Sequence, residues 1–342
     1  VYKVAVSGIN AVDNPGPGVG IAKSLKEGDK ELRVFGLAYD AMEPGIYMDW
    51  LIDRSFIMPY PSEGEELFLN RLLYIKEKYG LDAVIPALDA ELPLFIKGAQ
   101  YLKNLGIKTF LPTQEQFNLR AKDKLPEVAE RIGVKVPRTV VVTSYEELSK
   151  AVSELGFPVM IKGIFYKAYK VQNMAQATAY FNSIVSEWGY PIIVQEVVSG
   201  EEMNVVGVGD GEGGHFGLVG IKKLWITSLG KIWTGVTVKN EKLLEAVEGF
   251  VSVYSWRGAF EFECIATDSD VYLIEINPRF PAWVYFSTGV GVNLPYRLLQ
   301  AALGVEPERS WDYEAGKLYV RYTDDLVTDM GRFQKIVTSG EV

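Results

Sequence analysis

Glu275 and Asn277 stand two residues apart in the run 271–281, VYLIEINPRFP. The run has strand character up to Asn277, and Pro278, which has no N–H, stops the ladder. Strand side chains alternate, so Glu275 and Asn277 share one face and Ile274 and Ile276 the other. A carboxylate and an amide oxygen side by side suit Mg²⁺, which takes hard oxygen ligands and shares them with substrate phosphates. Arg279, two residues on, can fork onto a phosphate or carboxylate. Upstream, 258–264 (GAFEFEC) alternates as well, and Asp268-Ser269-Asp270 is a turn cluster. A hairpin centred on Ser269 sets Glu263 opposite Glu275 and Glu261 opposite Asn277. Facing carboxylates repel unless a cation or proton lies between them. The alternative is a solvated acidic face on an ordinary hairpin.

The elements leading to this hairpin begin with a buried strand at 2–7 (YKVAVS), the loop GINAVDNPGPGVG and a helical pattern over 21–27. Strand, glycine-rich turn and helix open a nucleotide-type α/β unit. Gly16-x-Gly18-x-Gly20 departs from GxGxxG. It runs into a helix N-terminus, which admits an anionic ligand, and a tight βα turn accounts for it equally. Strands at 33–40, 83–88 and 108–111, with helices over 63–79 and around Leu94, Ile96 and Leu102, predict a parallel sheet covered on both faces. Ligands of such sheets lie beyond the strands' carboxyl ends, which makes Asp89 and Glu91 substrate-site candidates.

A long amphipathic stretch over 114–132, interrupted near Pro126, carries Lys122 and Lys124 and marks a domain boundary. Beyond it come a strand at 139–143, a Ser144-x-x-Glu147 capping box and an apolar strand closing on Lys162. A lysine in that position snorkels to water or meets an anion. Residues 164–172 read as irregular, 173–188 as a helix capped by Asn173, and 191–198 (PIIVQEVV) as a strand. A larger sheet is expected from 203–209, 215–223, 232–239 and the hairpin, with helices at 241–256 and 292–303 and strand character at 317–323. Three consecutive domains follow: 1–113, 114–199 and 200–342.

The chain has 342 residues, 48% hydrophobic and 23% charged, as in globular proteins, with a net charge of -9 that argues against a nucleic-acid partner. One cysteine, Cys264, excludes an internal disulfide framework and fits a reducing cytoplasm. No leader-like opening and no apolar run of about 18 residues is present, so neither secretion nor a membrane span is expected. The single histidine, His215, lies in a GEGGH turn, so neither a histidine general base nor a zinc site is expected.

Lys124 thirteen residues before Pro137, PVMIK, IIVQEVVSGEE and the hairpin ending EINPRF occur in this order. The arrangement resembles the ATP-grasp superfamily, in the branch of carbamoyl-phosphate synthase large-subunit halves, biotin carboxylase and D-alanine–D-alanine ligase. The resemblance spans nearly the whole chain. It implies an α/β and α+β architecture, an ATP-grasp fold with an N-terminal Rossmann-like pre-grasp domain.

It also implies roles. Lys124 and Lys162 would clamp ATP phosphates, and Lys223 (or its neighbour Lys222) would point at phosphate. Gln195, Glu196 and Val198 would border adenine, and Glu202 would hold the ribose hydroxyls. Glu263, Glu275 and Asn277 would bind two Mg²⁺ (or Mn²⁺), with Glu261 the runner-up for Glu263. Arg279 would stabilise the transferred phosphoryl group, and 283–288 would line an acceptor pocket. The implied activity is an ATP-dependent carboxylate–amine (or –thiol) ligase working through an acyl phosphate, in a cytoplasmic homodimer. The alternatives are a bicarbonate-phosphorylating enzyme and an ATP-binding regulatory protein. One departure stands out. Where the family carries a glycine-rich lid, residues 164–172 read IFYKAYKVQ. Lys167 and Lys170 would have to substitute by charge, and Tyr166 and Tyr169 by cover.

Overall fold

The computed structural model describes every residue except Phe165, Tyr166 and Leu229. The chain opens with β1 (Lys3–Val6), α1 (Pro17–Gly28), β2 (Arg33–Ala38), β3 (Arg54–Ile57), α2 (Glu65–Tyr79), β4 (Ala83–Ile85) and α3 (Leu92–Asn104). The four strands form a parallel sheet of order β3-β2-β1-β4. Strand alternation sorts its two faces. Val4 and Val6 pack with Ile21, Ala22 and Leu25 of α1, whereas Ala5 packs with Phe35, Phe68 and Phe95 toward α2 and α3. The strand expected at 108–111 is reduced to one bridge between Lys108 and Ala83, and β3 takes its place in the sheet. Pro112 cuts the former short. The charged Asp53 and Arg54 mask the latter in the sequence, although Phe56 is wholly buried.

The stretch at 114–132 forms two helices, α4 (Gln114–Asn118) and α5 (Leu125–Ile132), with Pro126 in the first turn of α5, where a missing N–H costs nothing. Next come β5 (Thr139–Val142), α6 (Tyr145–Leu155), β6 (Val159–Gly163), β7 (Ala168–Val171), α7 (Met174–Trp188) and β8 (Ile192–Glu196). These strands make an antiparallel sheet of order β5-β8-β6-β7. Both N-caps hold, because Ser144 and Asn173 accept from the Glu147 and Gln176 N–H groups. Strand β7 corrects the irregular reading of 164–172, since Ala168 pairs with Lys162 and Val171 with Val159.

The chain continues through β9 (Glu201–Asp210), β10 (His215–Ile226), β11 (Ile232–Thr237), α8 (Glu241–Tyr254), β12 (Arg257–Ala266), β13 (Val271–Asn277), α9 (Tyr285–Gly289), α10 (Leu294–Leu303), β14 (Leu318–Val320) and α11 (Met330–Ser339). A six-stranded sheet has the order β13-β12-β9-β10-β11-β14. The chain divides into two compact units: 1–117, 204–262 and 277–342 form one, and 118–203 with 263–276 the other. The second unit takes in the hairpin tip through Lys135, whose N–H donates to the Val271 carbonyl (3.0 Å) and whose carbonyl accepts from Leu273 (2.8 Å). No helix among the described residues is long and apolar enough to cross a membrane.

Candidate functional site

In the second unit the focus is Lys162, the lysine that closes β6. Its Nζ donates to Gln195 Oε1 at 2.6 Å, and Gln195 Nε2 donates in turn to Thr139 Oγ1 at 2.9 Å. Three strands of one sheet thus fix the ammonium. Burial pushes the Lys162 pKa down to about 8, and Lys122 pushes the same way, while Glu275 and Glu263 oppose both. Lys122 is lowered by burial and raised by Glu275, and its Nζ donates to the Gly163 carbonyl at 3.1 Å. Lys122, Lys162, Glu263 and Glu275 therefore share one electrostatic field. Lys124 does not join them in this way. It is exposed at the N-cap of α5, while Lys122 is half-buried.

The Glu196 carboxylate takes the Arg138 N–H (2.7 Å) and Nε (2.8 Å), and the Glu196 N–H donates to the Arg138 carbonyl at 2.9 Å. Val198 lies half-buried just past the end of β8, beyond the ladder. Glu202 is exposed at the start of β9. Of the lid residues, Lys167 pairs with Glu187 and Tyr169 stacks on Tyr180 at 4.0 Å, so both are tied to α7. Lys170 is exposed on β7, and Tyr166 lies outside the described residues.

The first unit holds a second constellation, centred on Glu261. This carboxylate is 4% exposed and accepts from Asn204 Nδ2 (2.7 Å), Trp283 Nε1 (2.7 Å) and Asn277 Nδ2 (3.1 Å). Arg279 Nη1 lies 3.8 Å from it, and Arg279 Nη2 donates to Asp89 Oδ2 at 3.1 Å. The expected meeting of Glu261 and Asn277 is present, but Glu261 is occupied as an acceptor hub. Trp283 is a buried donor to that hub, whereas Tyr285 and Phe286 line a cleft of about 700 Å³. Lys223 sits half-buried on β10 in register with Gly235.

Asp89, just beyond β4, receives Arg279. Glu91 instead is fully buried and accepts from Tyr39 Oη (2.5 Å), Ala87 N–H (3.1 Å), Leu88 N–H (3.3 Å) and Ser7 Oγ. It fixes the turn that presents Asp89. The glycine-rich loop is a packing device. The Gly16 and Gly18 N–H groups donate to the Asn10 (2.6 Å) and Gly8 (2.9 Å) carbonyls. A Cβ on Gly18 would lie 2.1 Å from the Ser7 carbonyl oxygen, so only glycine allows this approach.

The hairpin turn closes with a Thr267 N–H bond to the Asp270 carbonyl at 2.9 Å. Alternation in β13 then slips: Val271, Leu273 and Ile276 are buried, while Ile274 and Glu275 are both half-buried. Ile274 and Ile276 thus do not share an environment, contrary to strict alternation. Within the second unit, Glu263 and Glu275 offer hard oxygen donors beside Lys122 and Lys162, a donor chemistry that fits Mg²⁺. Among the described residues no group of three His, Cys, Asp or Glu side chains gathers as a metal cluster.

Residues 190–325 match the family model described as ATP-grasp in the biosynthetic pathway with Ter operon. The chain is 24% identical over 225 residues to the carbamoyl phosphate synthase large chain of Clostridium botulinum (strain Alaska E43 / Type E3), covering 62% of this chain and 21% of that one. It thus spans about a fifth of that relative's length. Its fold is similar to that of biotin carboxylase from Campylobacter jejuni, with a TM-score of 0.69 and 19% identity over 90% of this chain and 72% of that one. It is also similar to an L-amino acid ligase from Bacillus licheniformis, with a TM-score of 0.65 and 16% identity over 89% and 74% of the two chains. The match over 190–325 is thus to an ATP-grasp family model, and the fold of the chain is similar to those of these solved structures.

Proposed function

We propose that the chain is an ATP-dependent ligase joining a carboxylate to an amine (or thiol) through an acyl phosphate. The observation that carries this reading is the setting of Lys162, a buried ammonium held by Gln195 beside Lys122, with Glu263 and Glu275 acting on it. Two half-buried cations flanked by two carboxylates match what a polyphosphate and its counter-ions require.

In this reading Lys122 and Lys162 bind the phosphates, with Lys124 and Lys223 in outer positions. Gln195, Glu196 and Val198 border the base, and Glu202 receives the ribose. Glu263, Glu275 and Asn277 hold Mg²⁺ (or Mn²⁺), two ions in all, which supply charge neutralisation and a template for the phosphates. Arg279, braced on Asp89, binds the transferred phosphoryl group. The substrate carboxylate oxygen attacks the γ-phosphorus and ADP leaves. The amine nitrogen then attacks the acyl carbon, phosphate leaves and the nitrogen gives up a proton. The reading extends to a cytoplasmic homodimer with no nucleic-acid or membrane partner.

A bicarbonate-phosphorylating activity is the second reading, favoured by the likeness to carbamoyl phosphate synthase and biotin carboxylase chains. The test is ADP release with Mg²⁺ and ATP across a matrix of carboxylates and amines. The ligase reading expects release only when both are present, and formation of a new amide. Release with bicarbonate alone would overturn it, and so would nucleotide binding without turnover across the matrix.

A further inference from the structure

The cleft of about 700 Å³ in the first unit lies between the β1–α1 loop, α9 and the segment around β14. Trp50, Phe286 and Tyr319 give it flat apolar walls. Aromatic faces of this kind bury a planar or branched apolar body, with a few polar groups fixing its orientation.

Those polar groups are mostly cationic. Lys23 and Lys317 line the cleft, against one carboxylate, Asp324. Lys317 is partly neutralised by Glu314 at 2.8 Å. Arg321 is the decisive group. Its Nη1 donates to the Pro15 carbonyl (3.2 Å) and its Nη2 to the Ala282 carbonyl (2.5 Å), while its Nε–H is buried without an acceptor. No carboxylate among the described residues pairs with it, and burial lowers its pKa. Two neutral carbonyls and the Tyr319 side chain hold the guanidinium, and none of the three is a carboxylate that would balance its charge. A half-buried cation with a buried spare Nε–H, facing an apolar cleft, is complementary to an anion attached to an apolar body.

We propose that this cleft binds a small organic acid with an aromatic or branched apolar body, its carboxylate directed to Arg321. That this acid is the carboxylate substrate rests on the ligase reading above, whereas the binding itself does not. Bicarbonate and short polar acids would leave the aromatic walls unfilled.

The test is calorimetric titration of the full chain, without nucleotide, with phenylacetate, 3-phenylpropionate and isovalerate. Phenylacetamide and acetate serve as the uncharged and the bodiless counterparts. At least one of the three acids is expected to bind about tenfold or more tighter than both counterparts. Arg321→Gln should weaken that acid about ten- to hundredfold. Because Arg321 also ties Pro15 to Ala282, Trp50→Ala is the second variant. Trp50 is exposed, so its truncation should leave the Tm unchanged while weakening the acid by about tenfold. The inference is overturned if none of the acids binds, if amide and acid bind equally, or if Trp50→Ala leaves affinity unchanged. Acid binding without ADP release in any amine mixture would sink the ligase reading and leave the cleft assignment standing. ADP release driven by short polar acids, with no binding of the three, would do the reverse.

Discussion

The Lys162 ammonium lies 2.6 Å from Gln195 Oε1, across the β6–β8 pair in which Lys162 stands opposite Ile193 and Met160 opposite Gln195. The bond is therefore a diagonal one, and it aims a buried charge along the sheet rather than out to water. With its pKa at about 8, Lys162 loses its proton as pH rises through that value in the free protein. Bound phosphate favours the charged form. Nucleotide affinity is thus expected to fall as pH rises above about 8, by up to about tenfold per pH unit. Titration calorimetry between pH 7 and 10 should show this slope, and Lys162→Gln should remove most of it. A flat profile for the unaltered chain would contradict the assignment.

Lys122 and Lys124 provide a direct contrast. Lys122 bonds the Gly163 carbonyl and feels Glu275, whereas Lys124 is exposed. Lys122→Gln should weaken ATP binding by about ten- to a hundredfold, the cost of losing a partly buried charge-assisted contact. Lys124→Gln should change it by less than about threefold. Equal effects of the two in nucleotide titrations would return the phosphate role to Lys124.

Glu261 holds three N–H donors from Asn204, Asn277 and Trp283. Glu261→Ala leaves all three unpaired in a buried place and should cost about 3–5 kcal/mol of stability. Glu261→Gln retains one carbonyl oxygen and should cost less, yet ADP release should still fall sharply, because Asn277 and Arg279 lose their reference point. Urea unfolding and turnover measured on the same samples separate the two effects. Full activity of Glu261→Gln would show that the hub is not a positioning group.

Glu43 gives a stability signature. Burial pushes its pKa up to about 7, despite N–H bonds from Tyr39 (2.8 Å) and Asp40 (3.3 Å) that pull it down. The folded state holds this proton more tightly than the unfolded chain. The stabilisation is complete below about pH 4.5 and is lost as pH rises through about 7, amounting to at most about 3 kcal/mol. Glu43→Gln should flatten that part of the stability curve. Chemical unfolding at pH 5, 6 and 7.5 checks it, and parallel curves for the two proteins would refute it.

Gly18→Ala should destabilise the chain by about 1–3 kcal/mol, because its Cβ would meet the Ser7 carbonyl at 2.1 Å. Nucleotide affinity should not change, since the loop N–H groups at Gly16 and Gly18 are already spent on the Asn10 and Gly8 carbonyls. A selective loss of nucleotide binding would revive the anion reading of the loop.

What the sequence by itself determined is the order of chemistry along the chain. Lys162 closing an apolar strand, Gln195 ending another, and the hairpin carrying Glu263, Glu275, Asn277 and Arg279 are all local patterns of period two, legible because each strand half-buries one face. The N-caps at Ser144 and Asn173 are local in the same sense. Only the tertiary structure decided the rest. Lys122 and Lys124 lie on the same short segment, and their difference in burial depends on packing around α5, which no local period encodes. Glu261 reads as one more acidic strand residue until Asn204 and Trp283, 57 and 22 residues away, converge on it. The slip in β13 moves Ile276 and Glu275 out of strict alternation through long-range burial. The charge on Arg321 becomes informative only once its neighbours are seen to be carbonyls and aromatic rings. Spacing fixes which face a side chain takes, and distant segments folding together fix what that face meets.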